Sequence, residues 1–217
     1  MSVASRPYGD PMGDVRAWLR GAPPARIDGR TVTLRRWTDD DLEPSLAAIL
    51  ESIDALAQWM PWASGYDRAA GWDFLARSQA EWDARATFGY AIRTTVDNQV
   101  IGSIGLHPRI AVGGLEIGYW VRTGATGRGH ATRAAALLTD AALRVDGVTY
   151  AEIRHDRANR ISGRIPRRLG YRHVDTVTST RDAPGESGTA LHWRMAAVDY
   201  PTSVAAHVVA DETGRAG

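Results

Sequence analysis

Three glycines, Gly124, Gly127 and Gly129, fall within six residues of the stretch Thr123-Gly124-Ala125-Thr126-Gly127-Arg128-Gly129. Glycines at this density let a backbone turn sharply and let a ligand come close to its N–H groups. Before the stretch, Ile117, Tyr119 and Val121 alternate with Glu116, Gly118 and Trp120, which is the period of a strand. After it, Ala131, Ala135, Leu138, Ala142 and Val145 share one helical stripe, with Asp140 and Arg144 as an i,i+4 pair on the wet side. A strand, a glycine-rich turn and a helix in that order aim several N–H groups and a positive dipole end at one point, an anion site suited to phosphate. A Walker A loop is excluded, because Gly124 and Gly129 are followed by His130 and Ala131 rather than by Lys and Ser/Thr. A dinucleotide fingerprint fails too, since Thr132 stands where the third glycine belongs. A pyrophosphate cradle of another type remains, beside the plainer alternative of a strand-to-helix turn with incidental glycines.

The rest of the chain must position that turn. Residues 31–37 read as a first strand, followed by Asp39-Asp40-Asp41 as N-cap and early negative charge of a helix through Leu46, Ile49 and Leu50. Two tryptophans flank a proline turn at Trp59-Met60-Pro61-Trp62, which on composition alone is core packing. A helix over 68–85 carries Trp72, Leu75, Ala76, Gln79 and Trp82 near one stripe, and strands over 88–94 and 100–106 meet at Asp97-Asn98-Gln99. His107, directly before Pro108, reads as the end of a strand rather than as a catalytic group. Beyond 115–145 come a strand at 149–155, a short helix capped by Asn159 and punctuated by Gly163 and Pro166, and a closing antiparallel pair over 171–180 and 190–196. This order predicts an α/β (α+β) fold with a mixed, largely antiparallel sheet and helices on both faces. Domain bounds follow: an N-terminal arm over 1–25, one domain over 26–198 and a loosely held tail over 199–217.

Composition bounds the function. The chain has 217 residues, 44% hydrophobic and 24% charged, with net charge +1, so bulk charge argues for no nucleic-acid or membrane-surface partner. The absence of cysteine excludes thiolate catalysis and cysteine metal sites, and no metal is expected. No apolar run has the length of a membrane span and the N-terminus lacks an apolar secretory core, so a cytoplasmic protein is expected.

Gly118-Tyr119-Trp120-Val121 followed by Gly127-Arg128-Gly129-His130-Ala131-Thr132 resembles the coenzyme A loop of the GNAT family of N-acetyltransferases, in particular its RimJ/RimL-like branch. Gly127 and Gly129 match the family's glycines, whereas Gly124 departs from its Arg/Gln position. Asn159-x-x-Ser162 with Leu169-Gly170-Tyr171 resembles the family's second block, and the match spans roughly residues 30–198. The resemblance implies attack of a neutral amine on an acyl-CoA thioester. The strand carrying 117–121 would splay from the next one, so that Trp120, Val121 and Arg122 offer backbone groups to pantetheine. Gly127, Arg128, Gly129, His130, Ala131 and Thr132 would hold the pyrophosphate. Asn159 resembles the pantetheine-contacting asparagine and is also an ordinary N-cap. Glu116 is the candidate base, its pKa raised by partial burial; its alternative is a solvated strand carboxylate. Ser162 would pass a proton to the thiolate, and Pro166 replaces a tyrosine donor common in the family.

Implied acceptors are protein N-termini, small amines or aminoglycosides, and the tryptophan-proline loop would flank their pocket. The implied donor is acetyl-CoA or succinyl-CoA; a succinyl carboxylate would want a cation such as Arg122, Arg154 or Arg164. A non-catalytic acyl-CoA-binding regulator is the rival reading. A short helix over 14–20, with Trp18 and Leu19 on one face, predicts an arm that contacts a partner chain of a homo-oligomer or borders the acyl pocket.

Overall fold

The computed structural model describes residues 18–214. Eight strands form one sheet in the order β1-β2-β3-β4-β5-β6-β8-β7. These are β1 Arg26–Asp28, β2 Val32–Arg36, β3 Phe88–Thr94, β4 Val100–His107, β5 Gly114–Val121, β6 Tyr150–Asp156, β7 Arg172–Thr178 and β8 Thr189–Ala196. Among the described residues only β5 and β6 pair parallel, joined by the crossover helix α4, His130–Leu143. The largely antiparallel sheet is therefore as expected.

Helices cover both faces. On one side α4 packs with α5, Arg160–Leu169, and α6, Val204–Thr213, over a core that includes Leu34, Tyr90, Ile104, Leu115, Ile117, Leu138 and Ile153. The alanines at 134–136 let α4 lie close to the strands, and all three are fully buried. On the other side α1, Leu42–Leu50, and α3, Arg68–Asp83, cover β3 and β4 through Trp37, Leu42, Leu75, Ala91 and Val100. A short helix α2, Ile53–Ala57, leads into a 3-10 turn at Pro61–Ala63.

Both chain ends depart from expectation. The expected helix over 14–20 lies largely outside the described residues. Its described end is not helical: Leu19 is fully buried in the core on the α4 side, and the Arg20 N–H donates to Asp146 O at 3.1 Å. This docking is at the C-terminal end of α4, the far end from the glycine turn, so residues 18–24 do not border the site. The expected loose tail is helix α6. Ser203 caps it, its Oγ accepting the Ala206 N–H at 3.2 Å, and Ala205, Val209 and Glu212 turn inward at helical spacing. Glu212 receives Thr31 through its N–H and hydroxyl, both at 2.8 Å, and Arg133 Nε at 3.0 Å. The folded unit thus reaches from Leu19 into α6 rather than from 26 to 198. No helix among the described residues is long and apolar enough to cross a membrane.

Candidate active site

Gly127 and Gly129 adopt φ of 74° and 79°, left-handed values that L side chains rarely take. Gly129 is the N-cap of α4, and the first intrahelical bond there runs from Arg133 N–H to Gly129 O at 3.0 Å. The N–H groups of His130, Ala131 and Thr132 precede that bond and point out of the helix start, beside the positive dipole end. A side chain at Gly127 would stand in open space, the room an anion needs. The imidazole of His130 also faces this end; its Nδ1 is buried without a hydrogen-bond partner among the described residues, and burial followed by Arg133 and Arg128 lowers its pKa. The front of the glycine stretch is already occupied. Glu51 accepts the Gly124 N–H at 2.9 Å, and Ser52 Oγ accepts the Thr123 N–H at 2.8 Å. The cradle therefore begins at Gly127, and the departure at Gly124 is where α1 is tied to the loop.

Next to the cradle the sheet opens. Pairing of β5 with β6 runs from Gly114↔Tyr150 to Ile117↔Ile153 and stops, while β5 continues against β4 to Val121 and β6 against β8 to Asp156. By the alternation of the ladder, Tyr119 and Val121 present their backbone groups to a wedge, whereas Gly118 and Trp120, of the same parity as Arg122, are turned to β4. Arg122 does not offer its backbone: its N–H donates to Ile101 O at 2.8 Å and its carbonyl accepts from Ala125. Its guanidinium instead bonds Glu51 and Gln99, both at 2.9 Å.

Across the wedge, the α5 start brings Ser162 to β5. Ser162 Oγ donates to Tyr119 Oη at 3.2 Å, and the phenol donates to Ser162 O at 3.1 Å. Burial raises the Tyr119 pKa, so the ring is a neutral donor. Asn159 caps α5, its Oδ1 accepting the Ser162 N–H at 3.1 Å, which leaves its amide NH2 group as a donor.

Glu116 lies on β5 two residues before Gly118, and it is buried rather than solvated. Arg109 grips it with two hydrogen bonds, Nε to Oε2 at 3.1 Å and Nη2 to Oε1 at 2.7 Å, and Arg154 stands 3.9 Å away. Burial pushes the carboxyl pKa up, but the bonds and charge of Arg109, then His107 and Arg154, outweigh it and the net direction is down. The expected upward shift is corrected: the carboxylate stays ionised. His107 pairs with Glu116 in register, and its ring lies beside Gly105 and Gly118. Burial, aided by Arg109, lowers its pKa to about 4.

A cleft of about 1040 Å³ lies over this face of β3–β5, walled by α1, α3, the 59–62 turn and Asp182. Trp59, Met60, Pro61 and Trp62 all line it, and Trp62 meets Trp120 with ring centroids 6.1 Å apart. The tryptophan-proline loop is therefore cleft wall rather than core. The β7–β8 loop closes over it where the Gly185 N–H donates to Gln58 O at 2.8 Å.

The family model for the acetyltransferase (GNAT) domain matches residues 31–172. The chain belongs to the GNAT acetyltransferase family. Among solved structures, RimJ of Mycobacterium smegmatis in complex with CoA-disulfide superposes on this GNAT chain with TM-score 0.76 at 22% identity, covering 89% of this chain and 96% of that one. RimL, a ribosomal L7/L12 alpha-N-protein acetyltransferase in complex with coenzyme A, gives 0.71 at 15% identity, with 83% and 99% covered. The microcin C7 self-immunity acetyltransferase MccE, in complex with acetyl-CoA and AMP, gives 0.71 at 15%, with 76% and 92% covered. No curated protein matches the sequence.

The fold brings residues 127–132, Val121, Asn159 and Ser162 around one wedge, places Glu116 on the cleft side and turns the Trp120 and Arg122 backbones away. Arg109, His107 and the Tyr119 hydroxyl were not legible as site groups. Arg109 reaches Glu116 across the 108–113 connection, whose sequence advertises only a proline stop, and Tyr119 reads in sequence as one more apolar strand residue.

Proposed function

We propose that the protein transfers an acyl group from acyl-coenzyme A to a primary amine. The observation that carries this reading is the parting of β5 from β6 between the 127–132 cradle and the cleft. Pyrophosphate on the α4 start and pantetheine along Tyr119 and Val121 would bring the thioester to Gly118, where the Tyr119 amide would polarise its carbonyl. The amine nitrogen attacks the carbonyl carbon, the C–S bond breaks, and the thiolate leaves hydrogen-bonded by the Ser162–Tyr119 hydroxyl pair, taking up from solvent the equivalent of the proton that the amine gives to water. That help is modest, because a thiol of pKa near ~8.5 leaves readily. Glu116, held as an anion by Arg109, is a weak proton acceptor. Its role is to draw the ammonium form of the acceptor and to hold the water that carries its proton away.

Acetyl-CoA is the donor this site favours. Arg122 and Arg154, two cations a succinyl carboxylate would want, are held by Glu51 and Glu152, both at 2.9 Å. The acceptor is a protein N-terminus, a small amine or an aminoglycoside. An acyl-CoA panel read by thermal shift at one concentration tests the donor, since a ligand of the native state stabilises it by RT ln(1 + [L]/Kd) and the tightest donor raises Tm most. Acetyl-CoA is expected to give the largest shift among short acyl-CoAs; a larger shift with succinyl-CoA would reverse the choice, and none with any of them would remove the donor from the reading.

A further inference from the structure

Arg133, in the first turn of α4, holds two consecutive peptide groups of the cradle. Its N–H donates to Gly129 O at 3.0 Å, and its guanidinium Nη1 donates to Arg128 O at 2.9 Å. Both peptide groups are trans, so each N–H points away from the carbonyl of its own plane. Drawing the two carbonyls toward residue 133 therefore turns the Gly129 and His130 N–H groups the other way, out of the helix start. The Gly129 N–H donates to no backbone acceptor among the described residues. Glycine at 129 leaves the guanidinium its place, since a Cβ there would come 2.6 Å from Arg133 Nη1.

Helix α6 aims that guanidinium. Glu212, buried near the end of α6, forms an ion pair with Arg133, Oε1 to Nε at 3.0 Å. The same carboxylate accepts the Thr31 N–H and hydroxyl from the β1–β2 turn, both at 2.8 Å, and the Glu212 carbonyl accepts the Arg30 N–H at 2.7 Å. Tied at side chain and backbone, Glu212 is a fixed anchor. It is also close enough to the cradle to act on His130, opposing the lowering of its pKa by burial, Arg133 and Arg128. By charge alone, a carboxylate so near an anion site is a cost, because it repels phosphate and neutralises a nearby cation.

We propose that Glu212 and Arg133 are positioning residues of the donor site. The ion pair from α6 keeps the guanidinium on the Arg128 carbonyl, and that bond aims the Gly129 and His130 N–H groups at the donor's diphosphate. The inference rests on the acyl-CoA reading of the cradle. The charge of Glu212 and its anchoring role act with opposite signs. As a bare charge, its removal would tighten diphosphate binding. As the anchor of Arg133, its removal releases the Arg128–Gly129 peptide and weakens binding.

Calorimetric binding of CoA, dephospho-CoA and pantetheine to wild type, Glu212→Gln and Arg133→Met separates these effects. Circular dichroism and thermal melts establish that each variant is folded. Glu212→Gln is expected to weaken CoA and dephospho-CoA alike by about tenfold, the size of one misaligned hydrogen bond to an anion. Pantetheine, which has no diphosphate, is expected to bind as in wild type. Arg133→Met, at a partly exposed side chain, is expected to behave the same way and carries the test if Glu212→Gln does not fold. Unchanged or tighter CoA binding in a folded Glu212→Gln protein overturns the proposal. An equal loss of CoA and pantetheine overturns it too, because the pair would then support the fold at large. So does an Arg133→Met protein that loses CoA and keeps dephospho-CoA, for the guanidinium would then be a direct ligand of the 3′-phosphate. Wild type that binds none of the three compounds rejects the acyl-CoA reading and the pair with it. Wild type that binds CoA, with both variants unchanged, rejects the pair alone.

Discussion

Arg109 decides the chemistry of Glu116. Without it, burial on β5 would favour the neutral acid; with two hydrogen bonds to the guanidinium, the carboxylate is held ionised beside the cleft. A fixed negative charge matters most while the acceptor is an ammonium ion and least once alkaline solution supplies the neutral amine. Glu116→Gln should therefore lower turnover by about a hundredfold near pH 7 and by less near pH 9, the lower end of what proton-transfer groups contribute. Parallel pH–rate profiles with equal turnover in both proteins would make Glu116 a structural residue. The sequence showed that a carboxylate stands before the glycine turn, but not the sign of its pKa shift. That sign belongs to a neighbour seven positions away across an irregular connection, and periodicity does not describe such connections.

The strand-turn-helix element was the most legible part of the chain. Its glycines, its strand alternation and its helical stripe are all local, and local pattern is what sequence carries best. The cradle's narrower extent was not legible, because Glu51 and Ser52 reach Thr123 and Gly124 from the end of α1. At this scale Gly129 is the sensitive point. Its φ of 79° disfavours any β-branched residue, and a side chain there stands at the mouth of the α4 dipole. Gly129→Val should raise the CoA dissociation constant at least tenfold, about 1.4 kcal/mol. Unchanged affinity in a folded variant, measured by calorimetry, would remove the cradle from the site.

Across the whole molecule, the order of strands and helices was readable while the ends were not. Residues 199–217 look like a tail because alanine, glycine and charge dominate them. Helix α6 forms because Val209 and Glu212 find α4 and Thr31, partners far away in sequence. Leu19 is buried for the same kind of reason, in a core assembled from distant strands. Global stability also carries the mark of the site. His107 is held neutral in the native cleft with a pKa of about 4, against about 6.5 when unfolded. Between those values the unfolded chain binds the proton and the native chain does not. The stabilisation is full above about pH 6.5 and is lost as pH falls toward 4, at most about 3 kcal/mol in all. Glu116, with its pKa also lowered, acts in the same direction at the acid end. Urea unfolding at a series of pH values should show this fall in wild type and a flatter profile in His107→Gln; an equal fall in both would assign the proton to another group.

Transfer itself is tested most directly by steady-state release of CoA thiol from acetyl-CoA, with and without a library of primary amines, in wild type and Gly129→Val. The cradle, the β5–β6 wedge and the cleft act together only if release requires the amine, yields one acylated amine per thiol and falls at least tenfold in the variant at subsaturating donor, the factor set by the weakened cradle. Acetyl-CoA that binds tightly yet releases no thiol with any amine would contradict the enzyme and leave an acyl-CoA-binding protein in its place.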